Sequence, residues 1–197
     1  MQIIRRLGQA AEYRDNETGM HIQRMSHYSV LIGKALGLSA GEQELLLHAA
    51  PMHDIGKIGI PDSILLKPGK LTPEEFDIMK THTLLGGQLL DQDPAPLLRA
   101  ACEIALSHHE RWDGRGYPNG LAGEAIPLMG RICSLADVFD ALLSRRPYKQ
   151  PWSVEQAVEE IGRCSGTAFE PGIVAVFHDI LPRILEVKEA FPDQGQP

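Results

Sequence analysis

Apolar positions recur along almost the whole chain at the three-and-four spacing of an α-helix, and no segment keeps the strict alternation of a half-buried strand. In residues 20–36 they fall at Ile22, Met25, Ile32 and Leu36, which places them on one helical face. Residues 2–13 carry the same spacing. "SAGEQELLLHAA" opens a further helix with Ser39 and Glu42 in capping-box positions. "LTPEEFDIMKTHTLLGGQLL" starts with Thr72 as N-cap, Pro73 at the first helical position and Glu75 at the third. Read as one continuous element, it puts His82 well inside a helix. Residues 95–109 predict another helix that ends at "SHHE", because "RWDGRGYPNGLAGEAIP" is too rich in Gly and Pro to continue it. Helices over 128–144, 153–164 and 171–190 complete the pattern, the last interrupted by Pro182. The expected fold is all-α, one domain over residues 1–190, with a frayed tail over 191–197.

Composition narrows the class. A hydrophobic share of 43% against 23% charged is that of a globular protein, and no apolar run approaches the roughly 20 residues that span a bilayer. The N-terminus lacks the continuous apolar segment of a secretory signal, so a cytoplasmic location is expected. Cys102, Cys133 and Cys164 are odd in number and widely spaced, which fits reduced core residues and neither a disulfide framework nor a zinc ribbon. A net charge of -7 argues against DNA or RNA polymers as partners. Locally the balance reverses: from Arg111 to Lys149 six basic residues face four acids, enough to steer an anion.

Candidate chemistry begins at "HDIGKIGIP", residues 53–61. The glycines and proline alone would explain a turn, but not His53, Asp54 and Lys57. Adjacent imidazole and carboxylate groups suit a divalent metal of intermediate softness. Glu17 and His21 lie four residues apart and share a helical face. The sequential pairs His53–Asp54 and His108–His109 would diverge by about 100 degrees on a helix and cannot face one point without bending, although diverging ligands can serve two adjacent metals. His82 offers a ligand from another helix. Asp137, in the apolar setting of "SLADVFDALLS", needs a cation or donor partner if buried; the alternative is a surface acid near Arg131 or Arg145. Asp140 competes for its role, and Asp137 is preferred. His27, His48 and His178 are assigned to packing or surface.

Three long motifs in order, "HDIGKIGIPDSILLKPGKL", "HHERWDGRGYPNGLAGEAIP" and "LADVFDALLSRRPYK", resemble the HD-GYP domains, over about residues 5–185. These belong to the HD superfamily of helical metal-dependent phosphohydrolases. The resemblance implies an HD-type helical bundle with a multinuclear metal site and a long GYP loop, hydrolysing cyclic di-GMP, with the reaction ending at pGpG or running through to GMP. It implies metal ligands at His21, His53, Asp54, His82, His108, His109 and Asp137, with Asp54 bridging two metals, and a third metal at Glu17. Lys57 would sit beside the scissile phosphate, and Arg146 and Lys149 of "RRPYK" would contact the substrate.

The cofactors implied are two or three divalent transition metals, Fe or Mn first, with Ni, Co or Zn admissible because affinity alone does not enforce the choice. A metal pair about 3.5 to 4 Å apart can activate water and clamp the oxygens of a phosphodiester. Lys57 can stabilise charge on the phosphate or protonate a leaving oxygen; its bland alternative is a solvated lysine. Trp112 and Tyr117 can stack on guanine or plug a turn. Signalling proteins at the GYP loop and a homodimer are candidate partners, and such proteins often carry an N-terminal sensory or receiver domain, so this chain reads as an excised output domain. The rivals are another HD nucleotide phosphohydrolase, acting on a deoxynucleoside triphosphate or guanosine tetraphosphate, and a non-hydrolysing adaptor that responds to cyclic di-GMP. The GYP loop and "RRPYK" weigh against the first, and the full ligand set against the second.

Overall fold

Helix α1 (Gly19–Ala35) turns Ile22, Met25, Tyr28 and Ile32 inward, and all four are fully buried. The computed structural model describes Arg14 and residues 19–91, 94–144 and 150–193; the expected helix over 2–13, Glu17, Arg146, Lys149 and residues 194–197 lie outside them. After α1 come α2 (Ala40–Ala49), α3 (Asp62–Leu65), α4 (Pro73–Lys80), α5 (His82–Leu90), α6 (Pro96–Ser107), α7 (Leu128–Leu143), α8 (Val154–Arg163), α9 (Pro171–Asp179) and α10 (Leu181–Ala190). Short 3-10 turns occupy Ala50–Met52, Ile55–Gly59 and Gly123–Ala125. The architecture is all-α; among the described residues the sole β feature is an isolated Ser165–Phe169 bridge.

Helix α1 packs on α7 and α2, and α6 lies against α5, α7 and α2. The main core joins Met25, Tyr28 and Ile32 to Leu46, Ile104, Leu135, Phe139 and Phe177. Replacing Phe139 or Phe177 by Ala would cost about 3 to 5 kcal/mol, from lost transfer energy and the cavity left behind. A smaller cluster of Ile60, Ile64 and Leu65, backed by Leu71, Met79 and Leu85, lies under the segment after Asp54. Of the cysteines, Cys133 is a core residue, whose thiol burial pushes up to about 12. Cys102 and Cys164 are free but only half-buried.

The expected capping box forms at Ser39–Glu42, and Thr72 is the N-cap expected of it, closing a second box with Glu75. The single helix expected from Thr72 onward does not: it breaks at Thr81, whose hydroxyl donates to Ile78 O at 2.6 Å. That side chain competes with the helical ladder for the carbonyl, and α5 starts afresh with His82 as its first residue. His82 is therefore at a helix start rather than inside one. The last expected helix is also two. The break is at Ile180, and Pro182 sits near the start of α10, where its missing N–H costs nothing.

Candidate metal centre

The donors arrive from helix ends as much as from helix faces. His21 lies on α1 and Asp137 on α7. His53 caps the Ala50–Met52 turn and Asp54 follows it. His82 opens α5, while His108 caps α6 and His109 comes next. The structure gathers them into two groups, Asp54 with His82, His108 and His109, and His21 with His53 and Asp137; within each, one donor atom per residue lies within 4.8 Å of the others. Asp54 stands between them. Its Oδ1 is 3.1 Å from His82 Nε2 and 3.5 Å from His108 Nε2, and its Oδ2 is 3.3 Å from His53 Nε2. In the second group His21 Nε2 is 3.3 Å from Asp137 Oδ1.

Each of four imidazoles is fixed from behind. His53 Nδ1 lies 3.0 Å from Ala50 O, His82 Nδ1 2.7 Å from Met79 O, and His108 Nδ1 3.1 Å from Ile104 O. A carbonyl can only accept, so the ring proton sits on Nδ1 and a neutral ring keeps a lone pair at Nε2. His21 Nδ1 is held instead by the Asp140 carboxylate at 2.9 Å. The Nε2 atoms of His82 and His108 and Oδ1 of Asp54 are buried and, among the described residues, make no hydrogen bond. Lone pairs facing one another at that range repel unless a cation lies among them. Mixed imidazole and carboxylate donors with their other ring nitrogens engaged fit a divalent transition metal.

The sequential pairs behave differently from each other. His108 and His109 fall in one group, not one to each of two metals, because α6 ends at Ser107 and the chain bends there. The divergence expected of a continuous helix no longer applies. His53 and Asp54 do divide, one to each group. The choice between the two α7 acids is also resolved geometrically: Asp137 joins the donors, and Asp140 stands behind His21.

Burial works against the charge of Asp137, but its hydrogen bond to His21 and the nearby histidines hold the carboxyl well below its usual range. Asp54 is also held down, with burial outweighed chiefly by the Lys57 ammonium, whose Nζ is 2.8 Å from Oδ2. Burial pushes His108 and His109 towards the neutral form that a metal requires.

Three supporting features were not anticipated. Arg24, buried on α1, donates through Nε to Asp140 Oδ1 at 2.6 Å and through Nη2 to Oδ2 at 2.9 Å, bracing the carboxylate that holds His21. Its Nη1 reaches Phe191 O and Asp193 Oδ1. Spacing offered a hint, since Arg24 lies one helical turn from His21, but its acidic partner is more than 100 residues away. Glu110 is buried and accepts from Asn119 N at 2.7 Å and Leu121 N at 3.0 Å, so one carboxylate ties down the GYP loop. Gly116 makes the loop's close approach possible, since a Cβ there would meet the backbone of His109 and Glu110. Tyr117 stacks on His109 at 4.8 Å, and Arg131 lies over the Trp112 ring. Both aromatic rings pack against the protein's own groups.

A helical fold with paired His and Asp donor sets defines a scaffold suited to divalent metal ions. Residues 7–173 match the HD domain family, and the chain belongs to it. It is 47% identical over 98% of its length to a cyclic di-GMP phosphodiesterase of Thermotoga maritima, and 50% identical over 88% to the cyclic di-GMP phosphodiesterase response regulator RpfG of Xanthomonas campestris. It is 43% identical over 98% to the 3'3'-cGAMP-specific phosphodiesterase 2 of Vibrio cholerae. The chain spans 52%, 46% and 37% of these relatives, about half or less of each. Among solved structures, the cyclic GMP-AMP specific phosphodiesterase V-cGAP3 of V. cholerae superposes with a TM-score of 0.71 at 24% identity, covering 93% of this chain and 49% of that one. An HDGYP protein from Bdellovibrio bacteriovorus gives 0.64 at 21%, covering 82% and 51%. At those identities the likeness is one of fold, and it agrees with the HD-GYP resemblance of the motifs.

Proposed function

We propose that the chain is a metal-dependent phosphodiesterase that opens cyclic di-GMP to pGpG and carries it on to GMP. The observation that carries this reading is the pair of converging donor groups joined at Asp54, with buried ring nitrogens left for a cation. The relatives named for cyclic di-GMP hydrolysis support the choice of substrate. His21, His53 and Asp137 would hold one divalent ion, His82, His108 and His109 another, and Asp54 would serve both. Fe or Mn are the ions favoured, with Ni, Co or Zn accepted by the same donors. Such ions supply an activated water and charge neutralisation at the phosphate.

The chain's own residues do the rest. Lys57, beside Asp54, would stabilise charge that builds on the phosphate oxygens. The neutral rings of His108 and His109 keep their lone pairs free of protons. Arg146 and Lys149 would grip the substrate away from the reacting phosphorus, and Glu17, four residues before His21 in the sequence, would take a third ion that favours the second cut. A cytoplasmic location suits such a substrate, and an input domain of the sensory or receiver kind would regulate it.

Metal analysis of protein purified without oxygen, paired with chromatography of products, tests the reading. Two or three metals per chain and conversion of cyclic di-GMP to pGpG and GMP are expected, with 3'3'-cGAMP as the competing substrate. Metal-replete protein that binds cyclic di-GMP without cleaving it would favour the adaptor and overturn the enzyme.

A further inference from the structure

The Ile55–Gly59 turn carries Lys57, and its two ends are held by different means. At Gly56 the backbone lies so close to α5 that a Cβ would overlap the carbonyl of His82 and the amide nitrogen of Gly86. At the other end a single side chain, Arg14, gathers the carbonyls. Its Nη1 donates to Lys57 O at 3.3 Å and to Ile58 O, and its Nη2 to Ile60 O at 2.9 Å. The same guanidinium pairs with Asp62 Oδ1, at 3.2 Å from Nε and 2.8 Å from Nη2. Carbonyls at the end of a helical turn run short of amide partners; Lys57 O accepts one, from Ile60 N at 3.1 Å, and a planar fork of five donors can serve several carbonyls at once. Ile58 is 50% exposed, so this end has little apolar anchorage before Ile60.

We propose that Arg14 is a positioning residue for Lys57: by gathering the carbonyls of Lys57, Ile58 and Ile60 it fixes the backbone from which the ammonium reaches Asp54. This rests on the reading of Lys57 as the group that meets the phosphate. The carbonyl contacts, rather than the ion pair, carry the effect. Asp62 is 68% exposed at its side chain, and exposed ion pairs contribute little. Arg14 also stands seven residues before His21 in the sequence.

A double-mutant cycle tests the proposal. Arg14→Ala should lower kcat about 10- to 100-fold when Lys57 is present, the cost of a misplaced group, with metal content unchanged. In a Lys57→Ala background the same change should cost less than about twofold, because the two residues act as one unit. Asp62→Asn should stay near wild type, and Arg14→Lys, which keeps the charge but not the fork, should fall between. Equal losses in both backgrounds, or loss of metal, would overturn the proposal. Should Arg14→Ala fail to fold, Arg14→Lys is read in the same cycle. Amide hydrogen exchange of metal-free protein gives a second reading: the Lys57 and Ile60 amides should exchange faster in the Arg14 variants. Unchanged exchange overturns the inference by itself, whereas absent turnover by wild type overturns only the functional reading.

Discussion

The two donor groups differ in what orients them. In the Asp54 group, His82 and His108 are held through main-chain carbonyls of Met79 and Ile104, so their pose follows from where α4 and α6 end. In the other group His53 is also held by a carbonyl, but His21 depends on a chain of side chains, Asp140, Arg24 and Ser144. A carbonyl is present whatever the side chain, whereas a carboxylate is lost with one substitution. The first group is therefore robust and the second tunable, and its tuning chain runs from α1 across α7 to the C-terminal residues Phe191 and Asp193.

The largest effect should come where the distinction collapses. Asp54→Ala removes the donor common to both groups, and turnover should fall by at least about 1,000-fold, beyond the loss of one stabilising hydrogen-bond donor. Metal content should drop at both groups while circular dichroism keeps its helical signal. Retention of one full complement of metal would show that Asp54 belongs to a single group.

Asp140→Ala should separate the groups. Removing the partner of a ligating histidine weakens metal affinity about 10- to 100-fold, and here only the His21 group should suffer. Calorimetric metal titration should then show one weakened site beside one of wild-type affinity. Equal weakening of both would break the comparison.

Acid should test the Asp54 group in the metal-free protein. Burial depresses His108 and His109 below the ordinary 6.5, so the folded state binds fewer protons than the unfolded chain once pH falls below that value. Stability is level above about pH 6.5 and falls below it, with each histidine contributing a slope of up to about 1.4 kcal/mol per pH unit. Asp54 and Asp137 are depressed from 3.8, so their contribution persists to lower pH and adds no slope here. Thermal melts from about pH 7 to about pH 5 should show the decline, and His109→Gln should make it shallower.

The smallest effect should come from Ser144→Ala. Its hydroxyl accepts from Arg24 Nη2 at 3.0 Å and donates to Asp140 Oδ2 at 3.1 Å, one brace among several on that carboxylate. Metal affinity of the His21 group should change by less than about tenfold, because Arg24 still holds both oxygens of the Asp140 carboxylate and Ser144 acts only through it. A loss as large as that of Asp140→Ala would show that the serine, not Arg24, sets the carboxylate.

The sequence by itself determined the helical class, the N-caps at Ser39 and Thr72, and the residue types of the site, because periodicity, capping and motif chemistry are local. The end of α6 at "SHHE" was legible for the same reason. What only the tertiary structure decided was direction. Thr81 turns its hydroxyl onto Ile78 O and makes His82 the start of a helix, and the bend at His108 sends both histidines to one group. Asp137 and Asp140 share a helix and a residue type; the motif favoured Asp137, but neither periodicity nor capping says where Asp140 turns. Only the packing of α1 against α7 places His21 and Arg24 between them, so that one carboxylate faces the donors and the other stands behind the ring.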